Sequence, residues 1–193
     1  MHTPPTRKQL SHERIVATAA RAIRRGGFNG VGVADIMKEA GLTHGGFYAH
    51  FASRDALLAE ALERAGHESG ESIVKSSAAR QAKGASAFRA FVESYLSEAH
   101  MAATDTGCPV GALAGEMRRQ APEVREAAAQ RVRALVDRVA QTLPGRGARE
   151  RAAAIAGQLV GALQLARALG DNAEGKALLA ATRRSLLAHY DIT

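Results

Sequence analysis

The amino-acid sequence predicts an all-α protein of about nine helices, and three observations carry that expectation. Apolar residues fill 46% of the 193 positions, with alanine and glycine supplying much of that share. Aromatic residues are few, five Phe and three Tyr with no Trp, a composition that suits close packing of helices. Apolar positions recur at helical spacing between glycine and proline breaks, and no convincing run of alternating β-branched residues is present. A chain of this length can form one large domain or two small ones that share a core.

Taken in order, residues 1–8 read as a flexible basic arm, with two prolines and the pair Arg7–Lys8. A first helix is expected from Ser11, a good N-cap, with Ile15, Val16, Ala19, Ala20 and Ile23 on its buried face. It ends at Gly26–Gly27, where Arg24 and Arg25 complement the negative end of the helix dipole. In the next segment Val33, Ile36, Met37 and Ala40 lie at i, i+3, i+4 and i+7, the stripe of a short amphipathic helix. Gly41 follows where that helix must stop. Thr43 is placed to cap a second short helix, which Phe47 and Phe51 anchor at i, i+4. Two short helices joined by a glycine turn form the unit whose second helix enters a DNA major groove.

Ser53 caps a long helix to about residue 80, led by Leu57, Leu58, Ala61, Leu62 and Ala65. A helix over 86–102 carries Phe88, Phe91, Val92, Tyr95 and Leu96. The turn-rich 103–109 precedes a shorter helix to about Gln120. Pro122 suits the first turn of a helix running to Leu143. The last two helices span about 148–169 and 174–189, separated by Gly170-Asp171-Asn172. No internal repeat is evident. The expected division is a DNA-binding unit with its basic arm over 1–53 and a helical bundle over 54–193.

Charge agrees with that division. Residues 1–54 hold eight Lys/Arg against three Asp/Glu, while residues 55–193 hold 18 against 16. A basic third joined to a nearly neutral remainder fits binding of a phosphate backbone by one end, although charge alone equally fits ordinary solubility. A single cysteine, Cys108, excludes an intramolecular disulfide and a cysteine-rich zinc site. No signal-peptide pattern or 18-residue uncharged apolar run occurs, so a soluble cytoplasmic chain with no membrane partner is expected. No cofactor motif is present.

Residues 12–62, HERIVATAARAIRRGGFNGVGVADIMKEAGLTHGGFYAHFASRDALLAEAL, resemble the N-terminal domain of the TetR family of bacterial one-component repressors. The resemblance rests on the Gly-Phe that ends the first helix, the V-x-D-I-x-x-x-A-G-L helix and turn, T-x-G-x-F-Y-x-H-F, and the following S-R-x-x-L-L. It implies a homodimer on a near-palindromic operator in double-stranded DNA, with a C-terminal bundle that holds a small-molecule effector pocket. Effector binding is then expected to favour a domain spacing that no longer fits DNA.

That resemblance assigns the DNA contacts. Thr43 is expected to cap the recognition helix and meet a phosphate. Tyr48 is expected to donate its hydroxyl to a phosphate, the alternative being a surface aromatic that closes the small core. His50 and Arg54 match positions that meet the backbone. His44 is the candidate for a base edge. Gly45 and Gly46 either allow close approach to DNA or are simply tolerated. With two glycines at the reading end, phosphate contacts and DNA shape are expected to carry much of the specificity. Gly32 replaces the usual Thr or Ser cap, and Ala34 is too short to reach DNA.

On the effector side, G-C-P-V-G-A-L-A-G-E resembles a segment of electrophile-sensing repressors of the NemR type. Cys108 is read either as a reactive thiol near a helix N-terminus or as a small buried packing residue. Phe88, Phe91, Tyr95, Met101, Val110, Leu113, Met117 and Leu163 are candidate pocket walls, each equally a core position. The dimer is assigned to the last two helices, through Ile155, Leu159, Gly161, Ala162, Ala166, Leu179, Thr182 and Leu186, the alternative being an intrachain core. Two other functions compete with a ligand-released repressor. One is a ligand-independent architectural DNA-binding protein, with steep salt dependence and little specificity. The other is a thiol enzyme, which would need a histidine beside Cys108; His100 is nearest in sequence.

Overall fold

The computed structural model describes residues 4–191. Among them are nine α-helices and one 3₁₀ helix: α1 (Arg7–Gly26), α2 (Val33–Glu39), the 3₁₀ helix His44–Ala49, α3 (Arg54–Gln81), α4 (Ala87–Tyr95), α5 (Glu98–Ala102), α6 (Pro109–Met117), α7 (Pro122–Ala140), α8 (Ala148–Leu169) and α9 (Ala173–Tyr190). The all-α expectation holds, and the differences lie in where helices begin and break.

Helix α1 starts four residues earlier than Ser11. The Thr6 hydroxyl accepts from Gln9 N–H at 3.2 Å while Gln9 Oε1 accepts from Thr6 N–H at 2.7 Å, a reciprocal capping box. Arg7 and Lys8 are therefore in the first helical turn rather than on a flexible arm; residues 1–3 lie outside the described part. The expected 86–102 helix is two helices. Ser97 takes an extended conformation, caps α5 by accepting from His100 N–H at 3.1 Å, and donates to Ser94 O at 2.9 Å. The apolar period runs through this break because Phe88, Phe91, Val92, Tyr95 and Leu96 all face the core, which hides the break from a periodicity argument. Helix α6 ends at Met117 and α7 at Ala140, each about three residues short of expectation.

The helix-turn-helix forms with Gly41 at φ +68°, the left-handed turn that glycine accommodates. Thr43 occupies the cap position, but its hydroxyl accepts no backbone N–H. The following helix is 3₁₀, closed by Gly46 N–H to Thr43 O and His50 N–H to Phe47 O. Gly45 and Gly46 disfavour an α-turn here, and a six-residue segment adds few bonds to offset that.

Helix α1 packs on α3, so Leu57, Leu58, Ala61 and Leu62 complete the core of the helix-turn-helix unit together with Ile15, Ile23, Phe28, Ile36, Met37, Phe47 and Phe51. That core continues without a gap into the bundle, where α3, α4, α6, α7, α8 and α9 pack on one another. Helix α8 is long and apolar enough, at mean hydropathy 1.3, to cross a membrane by those criteria alone. It carries Arg151 and Arg167, and it packs against α6, α7 and α9.

Candidate functional site: a nucleic-acid interface coupled to a cavity

The reading end of the helix-turn-helix is open. Thr43, His44 and Gly45 are exposed, Gly46 is half-buried, and Tyr48 is 75% exposed. Phe47 and Phe51 hold this end from beneath, with ring centroids 5.6 Å apart, and Phe47 meets the Tyr48 ring edge-on at 5.2 Å. The Tyr48 hydroxyl is thus free to meet a partner from outside. Beside it, His12 of α1 stacks on Phe51 at 4.5 Å and its Nε2 lies 2.7 Å from Glu60.

His50 is less available than its motif position implied. Burial first, then the neighbouring His12 and Lys8, lowers its pKa. Its Nδ1 is buried without a hydrogen-bond partner. The His12 and His50 rings, 6.0 Å apart, put the first part of α1 next to the 3₁₀ helix. Arg7 and Lys8 sit there at the positive end of α1's dipole, an unfavourable place for cations unless phosphates face them. Arg54 is used internally: its guanidinium donates to Phe28 O and, at 3.3 Å, to Val31 O, clasping the turn between α1 and α2. Both bonds come from Nη2, one of the three guanidinium nitrogens.

Two joints tie this unit to the bundle, and periodicity gave no hint of either. Glu116, in the last turn of α6, accepts from Phe28 N–H at 3.0 Å. Gly27, at φ +75°, makes room for it, because a Cβ there would lie 2.5 Å from Glu116 Oε1. Arg24 is the second joint, with its side chain 0% exposed. It donates to Ala20 O at 2.9 Å, Ala65 O at 3.4 Å, Thr106 O at 3.1 Å, Gly107 O at 3.3 Å and Glu68 Oε2 at 2.7 Å. Burial alone would raise the Glu68 pKa, but hydrogen bonds from Arg24 and Arg64 outweigh it and hold Glu68 below the usual carboxylate range. Arg24 therefore does more than complement a dipole: it fastens α1 to the loop that leads into Cys108.

Cys108 opens α6 and is 6% exposed. Its backbone N–H donates to His100 Nε2 at 3.0 Å, and His100 Nδ1–H donates to Tyr95 O at 2.6 Å. Both ring nitrogens are thus used, which fixes the neutral tautomer. Burial lowers the His100 pKa to about 4, and the nearby Arg167 cation acts in the same direction. His100 is near Cys108 in space, yet it bonds the backbone and has no free lone pair with which to activate the thiol. Arg167 in turn ties α8 to the end of α5 by donating to His100 O, Met101 O and Ala103 O at 2.9–3.1 Å.

Cys108 also lines a cavity of about 210 Å³ enclosed by α3, α4, α6 and α7. Of the predicted walls, Phe91, Tyr95 and Val110 join it there. Phe88, Met101, Leu113, Met117 and Leu163 do not line it; all five are buried in the core, and Phe88 packs edge-on against Tyr190 at 6.1 Å. Each belongs to the same apolar stripes as the true walls, so spacing could not separate them. The walls that sequence reasoning missed are on α3 and α7, above all Arg131 and Arg138. Burial and then Cys108 raise the Tyr95 pKa well above 10, so its hydroxyl stays protonated.

The predicted dimer stripe is mostly interior. Ile155, Leu159, Ala162, Ala166, Leu179 and Leu186 are buried within the chain, although Ala162 also reaches the groove described next. Gly161 and Thr182 border a shallow surface groove with Gln158, Leu165 and Leu178. Leu165, 59% exposed, and Leu169 stand out from this outer face. Helix α8 is apolar around most of its circumference, so periodicity did not reveal which stripe faces inward.

Comparison with known proteins agrees with this arrangement. The signature of bacterial regulatory proteins of the tetR family matches residues 15–61, and that of the LmrA/YxaF-like transcriptional regulator C-terminal domain matches residues 84–186. The HTH-type transcriptional regulator Rv0196 of Mycobacterium tuberculosis is 29% identical over 179 residues, covering 84% of this chain and 87% of its own. YerO of Bacillus subtilis, another HTH-type transcriptional regulator, is 41% identical over 51 residues, or 26% of this chain and 18% of its own. Among solved structures, a TetR-family regulator from Agrobacterium tumefaciens superposes with a TM-score of 0.74 at 24% identity, over 95% of this chain and 98% of that one. The reduced form of Escherichia coli NemR superposes with a TM-score of 0.71 at 20% identity, over 90% and 95%. At these identities the structural likeness speaks for the fold.

Proposed function

This chain belongs to the TetR family of transcriptional regulators, and from that premise we propose that it is a dimeric, cytoplasmic repressor released from its operator by a small molecule. The supporting observation is the pair of joints. The loop and helix that wall the cavity, 106–117, are hydrogen-bonded to α1 and its following turn through Arg24 and Glu116. A ligand that moves α6 therefore moves the helix-turn-helix, shifting the population of domain spacings rather than driving a reaction.

In this reading Thr43, His44, Gly45, Gly46 and Tyr48 enter successive major grooves of a near-palindrome, with Arg7 and Lys8 close to phosphates. Two copies meet through the outer face of α8 and α9, where Leu165 and Leu169 are otherwise exposed. A second effector chemistry draws on Cys108 lining the cavity: an electrophilic alkene that enters could be captured there. The thiolate sulfur would bond the β-carbon, the C=C π bond would break, and the α-carbon would take a proton from water.

The test is binding of the purified protein to DNA beside its own gene, as a function of salt, with and without N-ethylmaleimide, in wild type and Cys108→Ser. Saturable binding of a dimer to one near-palindromic site, tighter by about a thousandfold or more than to random DNA, supports the repressor. Release by the maleimide in wild type alone assigns the switch to Cys108. Salt-steep binding of similar strength to every sequence would instead support an architectural protein.

A further inference from the structure

Two of the cavity's walls are cationic and have nothing to pair with. Arg131 and Arg138 lie two turns apart on α7, and with Ala134 and Leu135 they form the i, i+3, i+4, i+7 stripe that faces the cavity. Arg131 Nε and Arg138 Nη1 are buried without any hydrogen-bond acceptor. Among the described residues neither guanidinium forms an ion pair. The two acids of α7 that do pair, Glu126 and Asp137, are joined to Arg133 at 2.9 Å and Arg149 at 2.7 Å.

Helix α3 is cut back to admit these side chains. Gly66 and Gly70 sit inside a 28-residue helix, where each glycine is less favourable than alanine by about 1 kcal/mol. A Cβ at Gly66 would lie 2.5 Å from Arg131 Cδ, and one at Gly70 would overlap the Arg138 guanidinium. The glycines thus seat the two half-buried arginines against the cavity. The Tyr95 hydroxyl adds to the pattern: the residue is 1% exposed and the weakly bonding Cys108 thiol is the one group beside the hydroxyl. The rest of the wall is apolar, chiefly Ile73, Phe91, Val110 and Leu135.

A buried guanidinium donor without an acceptor is unfavourable, and a bound oxyanion relieves it through charge-assisted hydrogen bonds. The volume, about 210 Å³, exceeds that of the roughly 150 Å³ dry cavity that admits benzene. Resting on the effector-pocket reading above, we propose that the ligand of this cavity is a compact apolar acid, an aryl or short acyl body carrying a carboxylate. Arg131 and Arg138 hold the carboxylate, and the apolar wall between α3, α4 and α6 takes the body.

The test uses the full chain at pH 8 with octanoate, benzoate and 4-phenylbutyrate, each beside its uncharged amide, in thermal-shift and calorimetric titrations and in operator release. At least one acid is expected to stabilise the protein and release DNA while its amide does neither. Arg131→Gln/Arg138→Gln is expected to weaken that acid about tenfold or more, the scale of a lost hydrogen bond to a charged group, while keeping wild-type operator binding. Gly70→Ala keeps both charges but displaces Arg138, and it is expected to weaken the acid and leave amide binding unchanged. Amides that bind and release DNA as well as acids would overturn the anion preference and leave the effector pocket standing. An acid preference that survives the double substitution would overturn the arginine assignment. No response to any probe, acid or amide, at 10-millimolar order would count against both this proposal and the pocket reading.

Discussion

Arg24 is fully buried, whereas Arg131 and Arg138 are half-buried, and the two settings differ in the partners their guanidinium groups meet. Arg24 has four carbonyl oxygens and a carboxylate around it. Arg131 and Arg138 have buried donors with no acceptor, over a cavity. Burying a guanidinium is unfavourable in both places, but only at Arg24 does the protein itself offset that with hydrogen bonds. A saturated arginine is a structural tie between elements; an unsaturated one faces a space that a partner can fill. The difference separates a joint between packed elements from a cavity wall with an unfilled donor.

The sharpest way to break the comparison is to make both arginines apolar. Arg24→Met strands several buried carbonyls and removes one of the two arginine partners of Glu68, so it is expected to lower the unfolding free energy by roughly 3 kcal/mol in urea titrations. A loss below about 1 kcal/mol would mean that Arg24 is not the tie its hydrogen bonds imply.

His100 is a second saturated group, and it predicts a pH dependence of similar size. Its folded pKa of about 4 lies below the unfolded value near 6.5. The unfolded chain therefore binds more protons between these values, and stability rises with pH across that window. The contribution is complete above pH 6.5 and is lost as pH falls toward 4, on the order of 3 kcal/mol in all. Unfolding measured from pH 7 to 4 should show this slope in wild type and a shallower one in His100→Gln.

A smaller effect is expected at the other joint. Glu116→Ala leaves Phe28 N–H without its acceptor and should lower stability by about 1–2 kcal/mol. It should also weaken the link between ligand and operator, so that a saturating effector releases DNA less completely. If release is unchanged, the Glu116 joint does not carry the coupling.

The smallest change in stability is expected at the cavity. Arg138→Met removes a half-buried charge whose Nη1 is buried without a partner, and it should be neutral or stabilising by up to about 1 kcal/mol. A loss comparable to that of Arg24→Met would show that Arg138 has an internal partner and would end the contrast between the two settings.

Local chemistry alone determined much of this protein. The all-α class, the helix-turn-helix with its Gly41 turn, the Phe47–Phe51 anchor and the Ser53 cap were legible because spacing, caps and glycine act within a few residues along the chain. The start of α1 was equally local, since Thr6 and Gln9 form the capping box, but Ser11 offered a competing cap. The break at Ser97 was masked because the core lies on the same side of α4 and α5. Tertiary structure decided the rest. Whether Phe88 or Phe91 lines the cavity, which face of α8 turns inward, and whether Arg54 points at DNA or clasps Phe28 and Val31 all depend on packing between elements far apart in sequence. The two arginine settings show the same limit. Arg24 and Arg138 each stand in a helical stretch with ordinary neighbours, and only the carbonyls or the empty space brought opposite them by the fold make one a tie and the other a candidate ligand contact.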